Sequence, residues 1–493
     1  MKKIIITISA LALLVSCSKD MMELGGGYYY PNEAAYLAMD GRGDIPEEPG
    51  GDRFDKIVEN PFIDTADEAV STFSVDADGA AYAYMRSCLK DGYLPDKNSV
   101  RIEEYLNYFT FDYSDPQDGA TVALNAEAGP CPWNAQHKLL RLGIKGKSLE
   151  GDQIPQANFV FLIDVSGSMS SNDKLPLLKQ GLITMLDYMR PDDRVAIVTY
   201  ASGEQLLLQS TPVSSKSQIV KAIKGLAASG STAGASGMKM AYEEAEKNFI
   251  QGANNRVIMG TDGDFNVGIT GTDAICEFVQ NYAAKGIYIT ICGFGKGNLN
   301  DGMMEKVSNS GNGTYEYIDS ENELTKVFVN ERSRFISVAN DCKAQITFNK
   351  DVVKKYRLIG YENRVLQNDD FENDKVDAAE IGSGQTITAL YELEMASAAG
   401  SIGKFDFRYK ESLGDDSKLV SLDVPEAGAE ASENLRFASS LAAYGLWLRD
   451  SEYKGDASLQ MATDLAKNAL GQDPYGLRKE YVDLLKKAAT IKQ

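Results

Sequence analysis

The sequence predicts an α/β protein built on a doubly wound, mostly parallel sheet, flanked by a small helical module, β-rich segments and a C-terminal helical tail. Three observations predict it. Between residues 158 and 335 the apolar runs FVFLI, RVAIVTY, RVIMGT and IYITICGF alternate with amphipathic segments such as KLPLLKQGLITMLDYM, SQIVKAIKGLAA and AICEFVQNYAAKG. That order lays strands between two layers of helices. The runs are apolar almost throughout, as a sheet covered on both faces requires. On either side of this region, TVALNAEAGPCPWNAQHKLLRLGIKGK and the stretches GQTITALYELEM, GKFDFRYKES and SKLVSLDV alternate apolar and polar residues instead. This is the pattern of antiparallel strands with one wet face, and strands from the two flanks are expected to pair into one sandwich.

Taken in order, residues 1–16 read as a secretory signal: Lys2 and Lys3 precede an apolar stretch from Ile4 to Val15 that is too short to span a bilayer. The ending LVSC resembles the lipobox of bacterial lipoproteins, which makes Cys17 the lipidated residue, and serine after it looks like outer-membrane sorting. The cell envelope is therefore the expected location, on a face the sequence does not choose. Residues 17–56 are rich in Gly, Pro and acid and read as a flexible tether. They contain Arg42-Gly43-Asp44, a tripeptide too short to carry function by itself.

Residues 57–119 carry the stripes Ala80, Tyr84, Cys88 and Ile102, Tyr105, Leu106, Phe109, which predict a mostly helical module. A β-rich flank over 120–157, the α/β domain over 158–335, a second β-rich module over 336–430 and a helical segment over 431–493 complete the chain.

With 50 basic against 71 acidic residues the formal charge is −21, which disfavours nucleic acid and anionic lipid as partners. The single histidine, His137, stands in a strand-like run without Cys or carboxylate at ligand spacing, so a zinc centre or a Ser/His/Asp triad has no support. The five cysteines after Cys17 are Cys88, Cys131, Cys276, Cys292 and Cys342. Their odd number and lack of CxxC spacing argue against a disulfide framework, with room for one bridge at most in an oxidising periplasm.

The chemistry concentrates where FVFLI ends in DVSGS. Open α/β sheets bind ligands at the carboxyl ends of their strands, and Asp164, Ser166 and Ser168, at alternate positions, can converge on one centre. One carboxylate and two hydroxyls are hard donors suited to Mg²⁺ or Mn²⁺ with open positions. Thr232 in GSTAG and Asp262 in TDGDFN are the candidates that complete the shell. Asp264 and Asn266 lie on the expected rim, and Asp173 and Lys174 read as helix-start and surface residues.

Together these residues resemble the metal-ion-dependent adhesion site of the von Willebrand factor type A domain, with its DxSxS, Thr and Asp in order. YRLIGYENR, AAEIGSGQTITALYELE, SEYKGD and DPYGLRKEYV further resemble the YfbK-like bacterial lipoproteins, over nearly all residues after about Glu59. The resemblance implies an A-domain fold, and a metal whose vacant position takes an acidic side chain from a protein ligand; it implies no reaction.

Other readings stand beside it. An envelope scaffold or assembly factor would bind partners through the same domain without obligatory metal. A metal-dependent hydrolase would need a general base, for which Asp264 is the only obvious candidate, and the chain lacks a Walker lysine in a Gly-rich loop. A calcium loop over Asp262, Asp264, Asn266 and Asp273 has Val267 where the turn glycine belongs and a strand where a helix should precede it.

Overall fold

The computed structural model describes residues 51–75, 78–230, 237–263, 271–374, 376 and 378–491. The signal segment, Cys17, Arg42-Gly43-Asp44 and most of the expected tether lie outside the described residues, as do Thr232, Asp264 and Asn266.

The strands of the central domain form one sheet in the order Thr314–Ile318, Ile287–Phe294, Asn254–Thr261, Ala157–Asp164, Arg194–Tyr200, Glu204–Pro212. Every neighbouring pair is parallel except the last. The run FVFLI explains why both faces are covered. Phe159, Phe161 and Ile163 join the core beneath helix Leu175–Met185, while Val160 and Leu162 join the opposite core with helix Gly237–Lys247. Each such burial stabilises by about 2 kcal/mol, so a polar residue on either face would be costly.

The two β-rich flanks meet in a sandwich. One antiparallel sheet runs Ile63–Asp64, Val353–Ile359, Thr386–Met395, His137–Gly146, Val122–Pro130. The other runs Val365–Leu366, Val70–Ser74, Ser337–Phe348, Gly403–Lys410, Lys418–Val424. Leu140, Leu142, Ile144, Ile387 and Tyr391 from the first share a core with Ala344, Ile346, Phe405 and Phe407 from the second. Strands on both sides of the central domain thus lie in one sheet, and that domain is an insertion in the sandwich.

Two expectations need correction. Residues 57–119 are not a separate helical module: Ile63–Asp64 pairs into one sheet of the sandwich and Val70–Ser74 into the other. The helices that follow, Ala80–Asp91 and Ile102–Asn107, are too short to bury their apolar stripes alone. Tyr82, Tyr105 and Phe109 share a core with Phe437, Tyr444 and Tyr481 of helices Glu433–Arg449 and Leu477–Ala488. The C-terminal helices are consequently one wall of a helical layer and not a tail.

The second correction concerns the tether, whose last residues are docked. Asp52 Oδ1 accepts from the backbone N–H groups of Gly297 and Leu299 at 2.6 and 3.0 Å, and its Oδ2 accepts from the Tyr84 hydroxyl at 2.9 Å. Arg53 N–H donates to Leu299 O, and the Phe54 ring meets Tyr84 edge-on at 5.0 Å.

His137 is structural, with Nδ1 2.6 Å from Glu392 Oε1. All five described cysteines are free thiols. Among the described residues no helix is long and apolar enough to cross a membrane.

Candidate metal site

Strand Ala157–Asp164 lies between Arg194–Tyr200 and Asn254–Thr261, so the chain leaves it toward one side of the sheet and later returns on the other. Its carboxyl end is the switch point, where a crevice opens between diverging loops. Asp164 ends this strand and Asp262 directly follows its neighbour.

The serine loop climbs from the core to solvent. Asp164 is 0% exposed and Ser166 1%, whereas Ser168 is exposed. Met169, wholly buried among the residues beneath helix Leu175–Met185, pins the far end of the loop. Asp164 Oδ1 accepts from Ser166 N–H at 2.8 Å, and Asp164 Oδ2 accepts from the Thr261 hydroxyl at 3.3 Å. The Ser166 and Ser168 hydroxyl oxygens stand 2.9 Å apart. The structure therefore brings together all three members of the DxSxS triplet.

Backbone bonds hold the neighbouring loops against them. Val165 N–H donates to Tyr200 O, Ser229 N–H to Val165 O and Gly167 N–H to Gly230 O. Gly230 stands two residues before Thr232, so the chain enters that segment from beside the serine loop.

Asp262 is 2% exposed, and its Oδ2 accepts from Lys174 Nζ at 2.8 Å. Lys174 is thus a member of the site and not the surface residue its place before a helix predicted. The signal that could have found it is Gly295, after strand Ile287–Phe294: a Cβ there would come within 2.2 Å of Lys174 Cε, so the missing side chain clears the path of the lysine stem. Gly263 supplies another close approach. At φ +125° it takes a backbone that side chains disfavour, and a Cβ would stand 2.0 Å from Asn298 O.

Burial pushes the Asp164 carboxyl up to about 6, the Ser166 hydrogen bonds opposing the rise and the Asp262 charge adding to it. Burial is the leading cause, and among the described residues the Lys174 ammonium is paired to Asp262 and not to Asp164. Hydroxyls and carboxylates form a donor set of hard oxygens, which fits Mg²⁺ or Mn²⁺. Among the described residues no three His, Cys, Asp or Glu side chains cluster at metal-ligand spacing; the donors that the described residues bring together here are the Asp164 carboxylate and the Ser166 and Ser168 hydroxyls. Asp273 of the calcium-loop pattern is an exposed acid in the first turn of helix Thr272–Ala283.

Models of known families match the inserted domain and both flanks. The model of the von Willebrand factor type A domain matches residues 158–330. A model described as von Willebrand factor matches residues 48–141, and one described as uncharacterized protein YfbK, C-terminal, matches 333–406 and 394–491. The chain is 39% identical over 469 residues to uncharacterized protein YfbK of Escherichia coli (strain K12), covering 89% of this chain and 81% of that protein. It is 30% identical over 185 residues to inter-alpha-trypsin inhibitor heavy chain H3 of Mus musculus, covering 36% of this chain and 21% of that protein. Among solved structures, von Willebrand factor type A from Catenulispora acidiphila aligns with a TM-score of 0.43 at 14% identity, over 75% of this chain and 91% of that one.

Proposed function

The chain belongs to the YfbK family, built around a von Willebrand factor type A domain, and on that premise we propose that it is a lipid-anchored cell-envelope protein that binds a protein ligand through a divalent metal ion. Asp164, Ser166 and Ser168 would hold the ion, with Thr232 and Asp262 completing or tuning its shell and Asp264 and Asn266 on the rim. Mg²⁺ or Mn²⁺ would supply a Lewis-acidic position open to an Asp or Glu side chain of the ligand. Cys17 would carry the lipid, and the sorting residue after it favours the outer membrane.

The observation that carries this reading is the Asp164 carboxylate, buried at the switch point with a backbone amide and the Thr261 hydroxyl as its donors and no cation paired to it among the described residues. A buried carboxylate of this kind is costly unless a positive charge joins it. Ser168, exposed at the outer end of the loop, sets the side from which a ligand arrives. The chain's own part is to hold hydroxyls and carboxylate in place and to leave one face open, which is the work of a binding site.

Titration calorimetry with Mg²⁺ and Mn²⁺ on protein beginning after Cys17 tests the reading beside D164A. The expected result is binding by the wild type and none by the variant. Equal heats from both would end the metal-dependent reading. A second reading, an envelope scaffold that binds partners without obligatory metal, is favoured by the Lys174–Asp262 ion pair, in which a side chain of the protein itself neutralises one carboxylate of the site.

A further inference from the structure

The DxSxS pattern accounts for Asp164, Ser166 and Ser168, but not for a lysine inside the crevice. Lys174 Nζ lies 2.8 Å from Asp262 Oδ2, and the two side chains are 12% and 1% exposed. The stem is accommodated, because Gly295 opposite it, at φ +67°, has no side chain where a Cβ would come within 2.2 Å of Lys174 Cε. Gly263, the residue after Asp262, is pressed against Asn298 O, so the carboxylate's backbone cannot retreat from the ammonium. An exposed lysine would lose entropy in such a pairing for little gain; this one is walled in.

Charge bookkeeping gives the pairing a consequence. Asp164 and Asp262 together would neutralise a divalent cation and leave it little attraction for another anion. With the Lys174 ammonium included, the contribution of the described residues at the site falls from two negative charges to one. A bound divalent ion then leaves a net charge of +1, and one external carboxylate closes the balance. At the effective dielectric of about 20 that suits such a partly buried site, one unit charge a few ångströms away changes affinities by at least about tenfold.

We propose that Lys174 is the charge-setting residue of this site: by holding Asp262 it keeps the loaded crevice one charge positive and so commits it to an anionic, carboxylate-bearing ligand. The assignment rests on the metal-binding reading above. It makes Lys174 a positioning and selectivity residue and separates two properties that a ligand-shell count treats as one, affinity for the bare ion and affinity of the loaded site for an acid.

The test uses Mn²⁺ with water-proton relaxation, which reports bound ion and the displacement of its water, and acetate as the carboxylate probe. K174M should bind Mn²⁺ about tenfold more tightly than wild type, since Asp262 is released from its competitor, and its Mn²⁺-loaded form should bind acetate about tenfold more weakly. K174R, which keeps the charge, should stay close to wild type in acetate affinity. The opposite signs distinguish this role from a structural one, because a collapsed site in K174M would weaken both. Weakened Mn²⁺ binding in K174M, or unchanged acetate affinity, overturns the assignment even where the wild type binds metal. If the wild type itself binds no more Mn²⁺ than D164A, the metal-binding reading fails and the assignment fails with it.

Discussion

The Arg86 guanidinium and the Asp319 carboxylate meet face to face, Nη2 to Oδ1 at 2.5 Å and Nε to Oδ2 at 2.9 Å, with both side chains 1% exposed. The arginine comes from helix Ala80–Asp91, and the aspartate follows the edge strand Thr314–Ile318 of the A domain. Arg86 also reaches Glu323 Oε2 and the Tyr108 hydroxyl, each at 2.6 Å. The contact therefore bolts the inserted domain to the helical layer.

Removing the guanidinium would leave two buried carboxylates with weaker partners, Asp319 with Lys90 at 3.2 Å and Glu323 with Lys326 at 3.9 Å. R86M is expected to lose about 3–5 kcal/mol of stability, measured by urea denaturation. R86K should recover only part of the loss, since an ammonium cannot make two parallel contacts. A loss below ~1 kcal/mol for R86M would show that the domain is held by its apolar contacts alone.

The same pair sets an acid limit. Burial alone would raise the Asp319 carboxyl, but the Arg86 charge and hydrogen bonds outweigh it and hold the group below the usual carboxylate range. A depressed folded-state value stabilises above the unfolded value, ~3.9, and that stability is lost as pH falls through the folded value. The denaturation midpoint of the wild type should fall as pH drops from ~5 to ~3. R86M, whose Asp319 keeps only the Lys90 ammonium at 3.2 Å to favour ionisation, should lose less over that window; parallel curves would remove the Arg86–Asp319 pair as the cause.

At Gly263 two constraints coincide, φ +125° and a Cβ position 2.0 Å from Asn298 O. G263A should cost about 2–4 kcal/mol and displace Asp262 beside it, weakening Mn²⁺ binding in the relaxation assay. Metal affinity equal to wild type in a folded G263A protein would show that Asp262 is not coupled to the ion.

For the anchor, C17A should move the protein from the membrane to the soluble fraction of the expressing cell and abolish incorporation of labelled fatty acid. Retention of C17A in the membrane fraction would point to a different means of attachment.

The arrangement of the inserted domain was legible because its residues have one job each. A strand covered on both faces must be apolar throughout, and FVFLI, RVIMGT and IYITICGF show it without knowledge of their neighbours. The DxSxS spacing was legible for a similar reason, since alternate residues of an extended loop share a direction. The flanks were harder. Val70–Ser74 is five residues long and precedes two helical stripes, and nothing local says that it will be paired with Ser337–Phe348, more than 250 positions away.

What the sequence determined by itself is the set of local periodicities and the order of chemical groups: a doubly wound sheet, alternating flanks, and Asp164, Ser166 and Ser168 at a strand end. The tertiary structure decided which distant segments share a layer, that residues 52–54 dock and that Lys174 turns inward. These depend on long-range burial and on space left by glycines elsewhere. Lys174 precedes a helix, where a lysine ordinarily faces water; it reaches Asp262 because Gly295, 121 residues later, leaves its path open.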